Sequence, residues 1–236
     1  MFVSIEKKAG ICKMEMNILS VEFWMALGSI IILDLVLAGD NAVVIAMASN
    51  QLPAKLRKKA IYIGTAGAVL LRLGMTFVAV WLLTIPYLQA LGGLFLLPIA
   101  VKLLLPSNPA EHVNAADSLM GAVKTIIAAD FIMSIDNVLA IAGAAAGHFL
   151  LVVIGLLISI PIVVGGSQLI GKVMDRFPVL TYAGAAILGW TSGSMLIHDR
   201  VLGTMITGGL GMWSTYALPA VLAVLVCGIG YMKSHK

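Results

Sequence analysis

Asp34-Leu-Val-Leu-Ala-Gly-Asp40-Asn41 and Asp130-Phe-Ile-Met-Ser-Ile-Asp136-Asn137 set one acidic pattern twice into apolar sequence, 96 residues apart. The register runs on past the polar residues, with Ile45 matching Ile141 and Ala46 matching Ala142. Each copy lies within a stretch long enough to cross a bilayer. An ionised Asp at the middle of a spanning helix costs about 2.5–3.5 kcal/mol on insertion scales, so an acid at that depth marks a functional site by default. Four at matched positions make that reading strong.

Composition agrees with a membrane setting. Of 236 residues, 61% are hydrophobic and 11% charged, and the mean hydropathy is +1.05; soluble domains run roughly 45–50% apolar and about 25% charged. The fold class expected is an all-α polytopic bundle. The net charge of +4 is small and carries no nucleic-acid meaning. Cys12 and Cys227 lie near opposite ends of the chain without metal-like spacing, and both read as free thiols.

A spanning helix needs about 20 apolar residues. That rule predicts seven spans, roughly 19–48, 61–84, 86–105, 118–146, 148–171, 178–198 and 213–232. Residues 1–17 form a short polar tail, in which Met14 and Met16 offer alternative starts. A cleaved signal peptide is rejected, because the apolar run from Ile18 is too long and cleavage would discard one copy of the pattern. The expected units are a first three-helix repeat over 18–105, a linker over 106–117, a second repeat over 118–198, and a seventh helix with tail over 199–236.

Basic residues set the orientation. With the loop Lys55, Arg57, Lys58 and Lys59 in the cytoplasm, that side also receives Lys102, Lys124, Lys172, Arg176, Lys233 and Lys236. The other side receives Lys7, Lys8, Lys13 and Arg200, so the N-terminus is expected outside and the C-terminus inside. The motifs fall in the first and fourth spans, an odd offset of three that makes the motif helices cross in opposite directions. The halves therefore read as a 3+3 inverted repeat, the design that places substrate and ion sites near the midplane on discontinuous helices.

On a straight helix Asp34 and Asn41 point within about 20° of each other, while Asp40 lies about 120° round from Asp34 and about 9 Å along the axis. Convergence on one ion needs the helix to open at Leu37-Ala38-Gly39, where the glycine tolerates unusual backbone angles. The second copy has Met133-Ser134-Ile135 there, and either stays helical or lets Ser134 bond back to the chain. Two such helices would offer Asp34, Asp40, Asn41, Asp130, Asp136 and Asn137 as metal ligands. That all-oxygen, anionic set suits Mg2+, Mn2+ or Ca2+ and suits Zn2+ or Cu2+ poorly. Excess negative charge would be met by protons on one or two of the acids, which metal binding would expel. The bland alternative is that these residues only join helices by hydrogen bonds.

Arg72, inside the second span, reads either as a counter-charge to the acids or as a structural ion pair. Met133 reads as packing, and His148, His198 and Asp199 as interfacial residues rather than ligands. Gly189 and Gly193 make a close-packing step, Pro98 and Pro161 expected kinks, and Trp24, Tyr87 and Trp213 interfacial anchors. No P-loop, GxSxG, HExxH or CxxC pattern occurs, so neither enzymatic activity nor an organic cofactor is expected.

The stretches Asp34–Ala46 and Asp130–Ala142, set in two halves of seven spans, resemble the TerC family of bacterial membrane proteins, most of all its compact YjbE-type members, over roughly residues 18–232. That family is similar in design to the LysE-type exporters. The resemblance implies manganese as the transported ion, with Ca2+ and Mg2+ left open by the residues themselves, and the bacterial cytoplasmic membrane as the location. It implies metal positions at Asp34, Asp40, Asn41, Asp130, Asp136 and Asn137. The expected partners are the bilayer, a divalent ion and protons, with a homodimer or a secretion-machinery component beyond those. Two functions follow: a proton-coupled Mn2+ exporter, or a metal-binding partner of secretion or tellurite-resistance machinery without complete transport activity. Export of an organic solute would call for more recognition groups than Arg72 alone.

Overall fold

The computed structural model describes residues 21–78, 82, 85–105, 115–144 and 149–234, and the chain is all-helical among them. Nine helices are described: α1 (Val21–Leu37), α2 (Gly39–Asn50), α3 (Ala54–Phe77), α4 (Leu88–Leu104), α5 (Ala115–Ala144), α6 (Phe149–Arg176), α7 (Val179–His198), α8 (Leu202–Leu210) and α9 (Ser214–Ser234). By length and apolar content α3, α5, α6 and α9 each suffice to cross a membrane, and α1 with α2 make a fifth candidate bent by 47°. The third expected span is α4, a shorter apolar helix of 17 residues. The sixth is α7, whose 20 residues include several Gly, Ser and Thr. The polar tail, Cys12, most of the 106–117 linker and the expected break at Gly147-His148 lie outside the described residues.

Helix boundaries follow local chemistry. Pro53 opens α3 with extended backbone (φ −54°, ψ 143°), and Pro178, lacking an N–H, separates α6 from α7. Tyr87 takes a left-handed conformation (φ 60°) immediately before α4. Cationic side chains occupy the last turns of α4, α6 and α9, at Lys102, Arg176 and Lys233. There they face the negative end of the helix dipole.

Contacts between helix ends gather the basic residues at one end of the bundle. Asn50 donates to the Gly171 carbonyl of α6 (2.9 Å) and Gln51 to the Lys102 carbonyl of α4 (3.1 Å). Arg57 pairs with Asp175 at 2.5 Å. At the opposite end Asp199 accepts from the amides of Ala90 (3.2 Å), Val201 (3.0 Å) and Leu202 (2.8 Å). The expected interfacial role of Asp199 is therefore corrected. It is buried, and it ties the start of α4 to the start of α8. His198 is exposed and bonds Ser194 of its own helix. Trp24, Tyr87 and Trp213 are exposed near this same end, as interfacial anchors require.

Two layers of packing hold the bundle. Val44, Ile45 and Met47 of α2 join Leu96 of α4, Ile126 of α5 and Leu188 of α7 in the main core. A second cluster joins Phe23, Leu27 and Ile30 of α1 to Leu151, Val152 and Leu156 of α6. Helix α9 packs on α7 and α4 and adds Val226 to the main core. A Cβ on Gly189 would stand 2.7 Å from Ala223 Cα, and one on Gly193 would fall on the Pro219 backbone. The glycine step is thus the close-packing face for α9.

Candidate functional site

The first motif helix breaks where the sequence provides for it. Helix α1 ends at Leu37 and α2 begins at Gly39, with Ala38 (φ −91°, ψ 4°) between them. A continuous helix would have the Asn41 amide donate to the Leu37 carbonyl. Here the Asn41 amide donates to its neighbour Asp40 (2.9 Å), and the Leu37 carbonyl accepts from the Asn137 side chain of α5 (3.1 Å). The second motif does not break: α5 runs unbroken through Ser134, which stands where the first copy has Ala38. Asn41 is 1% exposed, and both its side-chain amide atoms lack a partner among the described residues.

At the level of the break, Arg72 of α3 reaches both halves. Its Nη1 donates to Asp34 Oδ1 (2.5 Å), its Nη2 to Asp130 Oδ1 (2.7 Å), and its Nε to Ser134 Oγ (3.0 Å). Ser134 in turn donates to Asp130 Oδ2 (3.2 Å), and Ser159 of α6 donates to Asp34 Oδ2. Arg72, Asp34 and Asp130 are 5%, 2% and 6% exposed. Charges so far from water persist only when paired and hydrogen-bonded, and here every carboxylate oxygen has a donor. The planar fork of Arg72 lets one side chain serve both acids, which a lysine ammonium would not do with the same geometry.

A cavity of about 20 Å3 adjoins this cluster, lined by Asp34, Thr65, Arg72, Asp130 and Ser159 among others. That is room for about one water-sized occupant. Thr65 Oγ1, on its wall, is buried without a partner among the described residues. The other motif residues stand apart. Asp40 faces α7, where Thr191 Oγ1 lies 3.4 Å from its Oδ2. The Asp136 side chain and His148 lie outside the described residues. Among the described residues no three His, Cys, Asp or Glu side chains gather as a metal cluster.

The chain matches the "Integral membrane protein TerC family" over residues 19–236. It belongs to the TerC family. The chain is 42% identical to the "Uncharacterized membrane protein YjbE" of Bacillus subtilis (strain 168), over 91% of this chain and 99% of that one. It is 28% identical to YkoY of the same organism, covering 89% of this chain and 72% of the relative. The "UPF0053 inner membrane protein YgdQ" of Escherichia coli (strain K12) is also 28% identical, over 71% and 79%. No solved structure matches.

Sequence reading did not single out Ser159, Thr65 or Thr191. Ser159 carries a readable signal, since it is the one polar side chain between Phe149 and Pro161 in an otherwise apolar run. Thr65 sits among small residues and Thr191 beside Ser192 and Ser194, and neither stands out.

Proposed function

We propose that this TerC-family membrane protein exports a hard divalent cation, Mn2+ foremost, across the bacterial cytoplasmic membrane by alternating access, in exchange for protons. The observation that carries this reading is the meeting of Asp34 and Asp130, matched residues of the two copies, on one buried guanidinium. With Arg72 in place the two carboxylates keep one excess negative charge, which a single proton cancels. A divalent cation in its stead leaves none. Asp34, Asp130, Ser134, Ser159 and Thr65 offer only oxygen, the donor that Mn2+, Mg2+ and Ca2+ prefer. Arg72 is then the cation that holds the site between cargoes, and Asp40, Asn41 and Asp136 are ligands on the path to and from it.

Alternating access needs two halves that can exchange conformations, and the packing favours that. Helix α3 lies against α5 as α6 lies against α1 and α2, and α4 lies against both α7 and α5 as α7 lies against α2. A 3+3 inverted repeat, with α9 outside it, would set matched helices antiparallel, and the contacts that bring the end of α6 to the start of α3 support that reading. The break sits in one copy only. Exchanging it would straighten α1–α2, open α5 at Ser134, and free the Met133 carbonyl for Asn41, the mirror image of Asn137 on Leu37. The basic end faces the cytoplasm in this reading.

Purified protein in liposomes should move Mn2+ when a pH gradient is imposed, and Asp130→Asn should not. A chain that binds Mn2+ yet moves none under any gradient would instead be the metal-binding partner of another membrane assembly.

A further inference from the structure

The groove between α4 and α9 takes no part in the cluster around Arg72. Leu97, Pro98 and Val101 form one wall and Leu222, Val226 and Ile229 the other, around a cavity of about 430 Å3. That falls within the roughly 300–1,000 Å3 of ligand clefts. The spacing makes it a stripe on each helix. Pro98 and Lys102 stand one turn apart on α4, with Leu105 just past its end, and Leu222, Val226, Ile229 and Lys233 follow at helical intervals on α9. Each helix contributes one lysine, and the two lysines line the same groove.

No acidic side chain lines this groove, and neither lysine makes an ion pair among the described residues. Arg57, on the same end of the bundle, is by contrast neutralised by Asp175. Gln51 bonds the Lys102 carbonyl, so the lysines sit at the end where Lys55, Arg57, Lys58 and Lys59 open α3. A second groove of about 480 Å3 flanks α9 on its other side, lined by Tyr182, Ala186, Ala223, Cys227 and Tyr231 among others. It holds no charged residue.

We infer that the α4–α9 groove binds one anionic phospholipid, its acyl chain along the apolar stripes and its phosphate between Lys102 and Lys233. Apolar walls alone, such as those of the α7–α9 groove, cannot tell one headgroup from another. The two unpaired ammonium groups add selection for a negative headgroup, since a basic residue near an anionic membrane surface contributes about 1 kcal/mol. This inference is independent of what the protein transports.

Native mass spectrometry of the full chain in neutral detergent, titrated with dioleoyl phosphatidylglycerol or dioleoyl phosphatidylcholine, tests it. The wild type should bind the first lipid about tenfold more tightly. Lys102→Ala with Lys233→Ala should bring the two lipids within about twofold, whereas Lys58→Ala with Lys59→Ala should leave the preference intact. Leu222→Trp, which fills the groove away from the lysines, should weaken both lipids. The inference is overturned if the wild type shows no preference, if the Lys102/Lys233 variant keeps it, or if Leu222→Trp leaves lipid binding unchanged and dissociates a dimer instead.

Discussion

Asn137 donates its side-chain amide to the Leu37 carbonyl at 3.1 Å, while Asn41, the same residue of the other copy, is buried with both amide atoms unpartnered among the described residues. The difference has a direct cause. Leu37 ends a helix and has a carbonyl to offer, whereas Met133 lies inside the unbroken α5. Two asparagines that are equivalent in sequence thus do different work in this conformation.

Substituting them should separate stability from turnover. Asn137→Leu leaves the Leu37 carbonyl without its donor, a loss of about 1–3 kcal/mol. Asn41→Leu removes a side chain that makes no bond among the described residues, and should change stability by less than about 0.5 kcal/mol or raise it. Both should slow manganese flux, because the exchanged conformation needs Asn41 where this one needs Asn137. Thermal unfolding in detergent beside liposome flux is the check. Equal stability losses in the two variants would contradict the asymmetry.

Arg72→Met strands two buried carboxylates and should cost about 3–5 kcal/mol, the usual penalty for removing one partner of a buried pair. Millimolar Mn2+ should restore most of the lost thermal stability, and more than it adds to the wild type. Arg72→Lys should fall between, since one ammonium cannot span Asp34, Asp130 and Ser134 together. If Mn2+ does not rescue Arg72→Met, the guanidinium and the ion do not share a site.

Ser159→Ala removes the hydroxyl that bonds Asp34. A hydrogen bond to a charged group contributes about 1.5–3 kcal/mol, so the unfolding midpoint should drop and the Mn2+ affinity should weaken with it. Ser167, also buried and bonded to the Val164 carbonyl of its own helix, is the control, and Ser167→Ala should leave Mn2+ affinity unchanged.

The broken helix and the meeting of the copies are legible in the sequence, for physical reasons. Gly39 weakens the helix beside two acids that cannot face one ion on a straight rod, and the break falls at Ala38. Copies placed in the first and fourth expected spans, an odd offset, are expected to run their motif helices in opposite directions. The sequence leaves the division of labour open. Periodicity cannot tell that Arg72 would reach both Asp34 and Asp130, because that depends on α3 lying between α5 and α6. Nor can it tell that Asp40, six residues from Asp34, would turn to Thr191 of α7 once the helix bends. Asp199 reads as a span-end charge next to Arg200, yet its three amide donors come partly from Ala90, over a hundred positions away. Partners so remote in sequence leave no local trace.

Gly193→Leu should detach α9 without disturbing the acids. Its side chain would meet the Pro219 backbone, which cannot move aside as a side-chain tip would. Overpacking of this kind costs about 1–3 kcal/mol. Protease sensitivity near residues 199–213 should increase while Mn2+ affinity stays within about twofold of the wild type.

The central claim is that Asp34 and Asp130, one from each copy, hold the same ion. Mn2+ is paramagnetic, so electron paramagnetic resonance of purified protein titrated with Mn2+ counts bound ions directly. The account predicts one tightly bound ion per chain, lost in Asp34→Asn and equally in Asp130→Asn although both variants fold. Tight binding that survives either substitution would contradict it.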